Sequence, residues 1–219
     1  NLMNRTKLSD RRLPDYSRGE EIMNTVTPIA SLSETLLKFD GVDGEIRNGL
    51  DTISQSSRSL IKFVDSYRNL TRVASPVKKA FFVRELAERV INLTKEQALM
   101  AGAVCTYTEK SEDILLYADE GQITQILINL VKNAIQAGAR NVGISADINL
   151  SEQIIINVAN DGRPISKESQ EEIFVPFYTT KQSGTGIGLC LSRQIMRLHG
   201  GDLKLNSHYG QGATFMVTL

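Results

Sequence analysis

A chain of 219 residues with 41% hydrophobic and 23% charged residues has the size of one or two domains and enough apolar material for a packed core. Its 25 Lys and Arg balance 25 Asp and Glu, so no net field draws it to nucleic acid or an anionic membrane, and any phosphate site is local. No apolar run approaches the ~20 residues that span a bilayer, and no signal-peptide pattern opens the sequence, which excludes membrane contact within this chain. Cys105 and Cys190 stand far apart in no metal spacing and read as small buried hydrophobes in a reducing compartment.

Residues 1–75 carry helical periodicity. Ile22, Val26, Ile29, Leu32 and Leu36 form one apolar seam; Leu50, Ile53, Leu60, Val64 and Tyr67 form a second. Asp40-Gly41-Val42-Asp43-Gly44 between them suits the turn of an antiparallel hairpin. Two such helices cannot bury their seams alone, so pairing with a second copy into a four-helix bundle is expected. Upstream, Arg12–Gly19 has weak helical pattern, with Pro14 and Gly19 ill-suited to a long helix.

Ala74-Ser75-Pro76 ends the first pattern, and residues 76–219 form the second domain. The spacing predicts a helix over 83–95 and a strand over 103–108. Asp119 with Gln122 resembles a capping box that opens a helix to about Ala137. Strands follow over 142–146 and 154–159, then a glycine-rich stretch leading into a helix over 185–198. A hairpin over 202–219 turns at Tyr209-Gly210-Gln211-Gly212. The class is α+β: a helical hairpin, then a two-layer α/β sandwich.

Three local patterns carry chemistry. Gln125, Asn129 and Asn133 line one helix face, either capping a neighbouring loop or offering oxygens to a hard cation such as Mg²⁺. Asn160-Asp161-Gly162 ends a strand and, taken alone, is a good turn. Gly184-Thr185-Gly186-Ile187-Gly188-Leu189 opens a helix, as a mobile loop or as free N–H groups aimed at an anion.

The ordered set is more telling than its parts. An Asn-x-x-x-Asn-Ala helix, an Asn-Asp-Gly turn, Phe174-Val175-Pro176-Phe177-Tyr178-Thr179-Thr180-Lys181 and the Gly-x-Gly-x-Gly helix start together resemble the ATP-binding domain of two-component sensor histidine kinases. That domain has the Bergerat (GHKL) fold shared with gyrase and MutL. Glu21-Ile22-Met23-Asn24-Thr25-Val26-Thr27-Pro28 resembles the family's phosphoacceptor box, and the Phe-Tyr-Thr-Thr-Lys wording is closest to its nitrogen-regulatory branch.

The resemblance implies ATP and Mg²⁺ as cofactors. Asn133 would hold Mg²⁺ with Asn129 beside it, and Asn160 with Gly162 would lie under adenine. Residues 174–183 would form a lid. Gly184, Thr185, Gly186, Gly188 and Leu189 would hold phosphates, with Lys181 reaching one as a point charge. The reaction implied is in-line phosphoryl transfer to histidine and then to an aspartate on a response-regulator receiver domain, by a cytoplasmic homodimer.

Three positions depart from the family pattern. Asn160 replaces the usual adenine-binding Asp, and Pro164 replaces a glycine. Glu20 stands where the acceptor histidine is expected, next to the acidic Glu21. A carboxylate cannot form phosphoimidazole, so autophosphorylation is not expected there. His199 and His208 both fall in the second domain, and His199, at a helix end, reads as a capping residue. The alternative function is a kinase-dead regulator phosphatase or dimeric scaffold, with Asn24 where the family orients a hydrolytic water. A gyrase-like ATPase is disfavoured, because Asn129 replaces its general base.

Overall fold

The computed structural model describes residues 16–39, 41–71, 73–111, 113–181, 184–206 and 212–219, with the backbone alone for residues 16–20, 66 and 69–71. The chain divides into two compact units, Asn1–Thr71 and Arg72–Leu219.

The first unit is a helical hairpin of α1 (Tyr16–Leu37) and α2 (Gly44–Thr71). Gly19 lies inside α1, in its first turns, where a glycine costs only about 1 kcal/mol relative to Ala; Pro14 and Asp40 lie outside the described residues. The two helices bury mainly small side chains: Val26, Ala30 and Ser33 on α1, and Ser54, Ser57 and Val64 on α2. The larger members of the two seams stay in solvent, with Ile29 44% and Leu32 60% exposed, and Ile22, Leu36, Ile53 and Leu60 also exposed.

The second unit begins with a two-stranded antiparallel ribbon that the sequence pattern did not predict. β1 (Lys79–Phe82) pairs with β3 (Leu115–Ala118). β1 runs directly into α3 (Val83–Ala101), which is longer than the expected 83–95 and stops at Gly102 in the left-handed conformation. Then come β2 (Val104–Glu109), α4 (Glu120–Gln136), β4 (Asn141–Ile148) and β5 (Ile154–Asn160). A short α5 (Lys167–Glu172), α6 (Gly188–His199), β6 (Asp202–Leu205) and β7 (Ala213–Thr218) complete it. The last turn, 207–211, including His208, lies outside the described residues.

The main sheet has the order β2-β4-β5-β7-β6. β2 and β4 are parallel, which requires the crossover that α4 supplies; the other pairs are antiparallel. Alternate residues such as Val142, Ile144, Ile156, Val158, Phe215 and Val217 face α3, α4 and α6 and close one core. The architecture is thus a hairpin plus a two-layer α/β sandwich. Among the described residues, no helix is long and apolar enough to cross a membrane. Cys105 is half-buried and Cys190 buried, both as free thiols, and burial pushes both thiols up from their usual pKa.

Candidate nucleotide site

α4 is the site's floor. Asp119 caps it, one carboxylate oxygen accepting from Gln122 N–H at 3.0 Å and the other from Val77 N–H at 2.9 Å. These donors hold the Asp119 carboxyl below its ordinary value, Gln122 contributing most. Ile123, Ile126, Leu127, Leu130, Val131 and Ala134 are buried in the core. Helical geometry therefore turns the amide line outward: Asn129 and Asn133 are half-buried, Gln125 and Gln136 exposed. Asn129 Nδ2 donates to Ser192 Oγ at 3.1 Å and so joins α4 to α6.

The glycine run meets this face. α6 starts at Gly188, three residues later than the expected 185, because Gly186 has φ 67° and cannot be helical. A side chain at Gly188 would overlap the Asn129 amide, and one at Gly186 would overlap the Phe177 backbone. Phe177 N–H donates to Gly186 O at 2.9 Å, with Phe177 itself left-handed at φ 68°. The α6 cap position, Ile187, supplies no side-chain acceptor, whereas Asp119 and Ser166 cap α4 and α5. The first-turn N–H groups of α6, near Gly188 and Leu189, are the donors that a helix start offers an anion. Gly184 and Thr185 are exposed just before them.

Residues 174–181 reach α4 at Lys181; Gln182 and Ser183, the rest of the expected lid, lie outside the described residues. The segment is rooted by the Arg193 guanidinium, 4.7 Å from the Phe174 ring centroid, and by Tyr178 OH donating to Ser169 Oγ at 2.8 Å. At its end Lys181 Nζ donates to Asn133 Oδ1 at 2.7 Å and to Gln136 Oε1 at 2.6 Å. Burial pulls the Lys181 ammonium below its ordinary pKa. Asn133 Oδ1, a neutral, hard oxygen already turned onto a cation, suits Mg²⁺ shared with phosphates.

The Asn160-Asp161-Gly162 turn is divided in its work. Asn160 Nδ2 donates to Ala213 O at 2.9 Å, and its Oδ1 accepts from Gly162 N–H at 3.0 Å. The amide orientation follows from these partners and leaves Oδ1 one further lone pair. Asp161 instead clamps the turn, accepting from Asn141 N–H, Asn141 Nδ2 and Arg140 N–H at 2.9, 2.7 and 2.8 Å. Those donors, Asn141 first, hold its carboxyl below the usual range.

His199 ends α6. Its Nδ1 faces Ile195 O at 2.9 Å and its Nε2 accepts from Asp119 N–H at 3.1 Å, which places the ring proton on Nδ1. It satisfies a last-turn carbonyl and ties α6 to the start of α4.

Of the residues expected to act together, Asn129, Asn133, Lys181, Gly186 and Gly188 converge, and Asn160 with Gly162 closes the end of β5. Glu20, Glu21 and Asn24 belong to the hairpin unit. The Glu20 side chain lies outside the described residues, while Glu21 and Asn24 are exposed on α1. Pro28, inside α1, deprives the Asn24 carbonyl of its helical donor. Sequence reasoning missed Gln136 and Ser192. Gln136 continues the Asn129–Asn133 line by a step of three, a signal that was present; Ser192 had none.

A mixed sheet with three helices on one face, and a glycine-fed helix start against an amide-bearing helix, define a nucleotide-site architecture of the GHKL class. The family model described as "Histidine kinase-, DNA gyrase B-, and HSP90-like ATPase" matches residues 118–219. The chain is similar to sensor histidine kinase ZraS of Salmonella typhi, 29% identical over 203 residues, covering 92% of this chain and 44% of that protein. The catalytic domain of histidine kinase ThkA is 34% identical with a TM-score of 0.59, over 65% of this chain and 94% of that one. ThkA in complex with the response regulator protein TrrA is 26% identical with a TM-score of 0.66, over 93% and 59%. The chain belongs to the two-component histidine kinase family, and it spans under half the length of the curated relative ZraS.

Proposed function

We propose that the chain is the catalytic core of a sensor histidine kinase, organised as a hairpin domain over 1–75 and a nucleotide domain over 76–219, that binds Mg-ATP but lacks the acceptor histidine. The observation that carries this reading is the uncapped start of α6, its Gly188 packed against the Asn129 amide on the α4 surface that also bears Asn133. Asn160 Oδ1 is suited to accept the adenine amine, and its Nδ2 is already committed to Ala213 O. The first-turn N–H groups of α6 hold phosphate oxygens without reorganising, and Asn129, pinned by Ser192, keeps Gly188 in place. Asn133 is the magnesium ligand. Magnesium bound with the nucleotide would neutralise charge shared between phosphate oxygens. The proposed transfer runs to a histidine at the Glu20 position in an intact acceptor box and on to a receiver-domain aspartate, within a homodimer formed through the exposed α1 and α2 seams.

Titration calorimetry with AMPPNP and Mg²⁺ tests the site. The chain is expected to bind, while Asn133→Ala loses the magnesium dependence and Gly188→Ala loses binding. Binding that is indifferent to both substitutions overturns the assignment.

A second reading is favoured by exposed Asn24, one helical turn beyond Glu20: a regulator phosphatase that needs no phosphohistidine. Asn24→Ala is then expected to abolish dephosphorylation of the partner regulator while sparing nucleotide binding; full retained phosphatase activity removes Asn24 from that mechanism.

A further inference from the structure

Gln136 has no part in the reading above, yet it shares a cation with the proposed magnesium ligand. Asn133 and Gln136 are three residues apart on α4, so their side chains lie on one face. Both direct their amide oxygens onto the Lys181 ammonium, at 2.7 and 2.6 Å. Both side-chain partners are amides, so among the described residues the ammonium is held by dipoles, an arrangement a metal ion can exchange with.

The backbone that delivers Lys181 is unusual. Phe177 and Gly186 both lie in the left-handed region, joined by the Phe177 N–H to Gly186 O bond, and a bulky residue rarely adopts that conformation. The segment that ends at Lys181 therefore carries a residue in a conformation it rarely adopts.

We propose that Asn133 and Gln136 form a two-oxygen cradle for the Lys181 ammonium, which there acts as a placeholder for the metal on Asn133 Oδ1. Gln136 is then a positioning residue that sets how strongly the empty site is latched. Entry of the metal with its nucleotide displaces Lys181 from the cradle, and the freed ammonium becomes available to a phosphate oxygen. The second half of this proposal rests on the nucleotide reading above; the latch itself does not.

The experiment compares the full chain with its Gln136→Leu variant in two assays. In the first, trypsin cleavage after Lys181 is followed by mass spectrometry without ligand, because trypsin must take the same ammonium that the cradle holds. In the second, Mg²⁺-AMPPNP affinity is measured by calorimetry. Loss of one charge-assisted hydrogen bond is expected to speed cleavage at Lys181 by about tenfold. Because a latched site lowers apparent affinity by the fraction that is open, Mg²⁺-AMPPNP is expected to bind several-fold more tightly to the variant. Equal cleavage rates overturn the latch. Faster cleavage with unchanged or weaker nucleotide binding overturns the exchange, and weaker binding makes Gln136 a direct ligand instead. If neither protein binds Mg²⁺-AMPPNP, the nucleotide reading and the exchange both fall, while the cleavage rates still decide the latch.

Discussion

The two units bury their apolar residues in opposite ways. In the α/β unit, Leu86, Ile123, Ile126, Leu127, Ile144 and Ile156 are fully buried, and the sheet and helices close on one another. In the hairpin, small side chains meet between the helices while Ile22, Ile29, Leu32, Ile53 and Leu60 face solvent. One unit satisfies the hydrophobic pattern of its sequence within a single chain; the other leaves much of that pattern unpaid. The same kind of 3/4 spacing thus marks a core helix in α4 and, in α1, a surface that we propose is covered by a second copy.

The comparison is broken most decisively by truncating one residue from each side of it. Leu127→Ala is expected to cost about 2–5 kcal/mol in denaturant unfolding, whatever the protein concentration. Leu32→Asp is expected to shift the chain from dimer to monomer in sedimentation, and to remove the concentration dependence of Tm that an associating hairpin confers. A Leu32→Asp chain that sediments like the parent removes this seam from the interface.

A smaller effect is expected at the start of α4. Asp119→Ala removes the cap and the tie to Val77 and is expected to cost about 1 kcal/mol near neutral pH. The Asp119 carboxyl is depressed when folded, so its contribution is present above the unfolded value of about 3.9 and is lost as pH falls through the folded value. Asp161 and Glu120 are depressed in the same direction, by Asn141 and by Lys79 with Arg89. Stability of the parent is therefore expected to fall below about pH 4, and less steeply in Asp119→Ala; parallel pH profiles would contradict the assignment. The smallest effect is expected at the hairpin surface. The Arg58–Glu34 pair, at 2.8 Å, is solvent-exposed, and Arg58→Ala is expected to leave Tm unchanged.

What the sequence made legible follows the same division. Long periodic segments and some caps were readable: Asp119 and Gln122 mark the start of α4, and Gly200 ends α6 in the left-handed conformation, whereas Gly102 ends α3 well past the expected residue 95. The β1–β3 ribbon was not, because each strand has four residues and Phe82 passes straight into α3. The start of α6 was misplaced because the glycines that suggest a helix start also hold residue 186 out of it. In the hairpin the seams were readable, but which members the single chain buries was not: Ser33, Ser54 and Ser57 lie between the helices because closely approaching backbones favour small side chains. Asn129, Asn133 and the glycines were legible as motif positions. The joint hold of Asn133 and Gln136 on Lys181 depends on a loop path from 174 to 181 that no periodicity encodes.

The most direct test of the central claim is Mg²⁺-dependent labelling from γ-labelled ATP, comparing the chain with its Glu20→His variant and then testing acid stability. The expected result is acid-labile phosphate on the variant alone, which would show a competent nucleotide domain and a box that lacks its acceptor. Equal labelling of the parent chain, or no labelling of either protein, would contradict it.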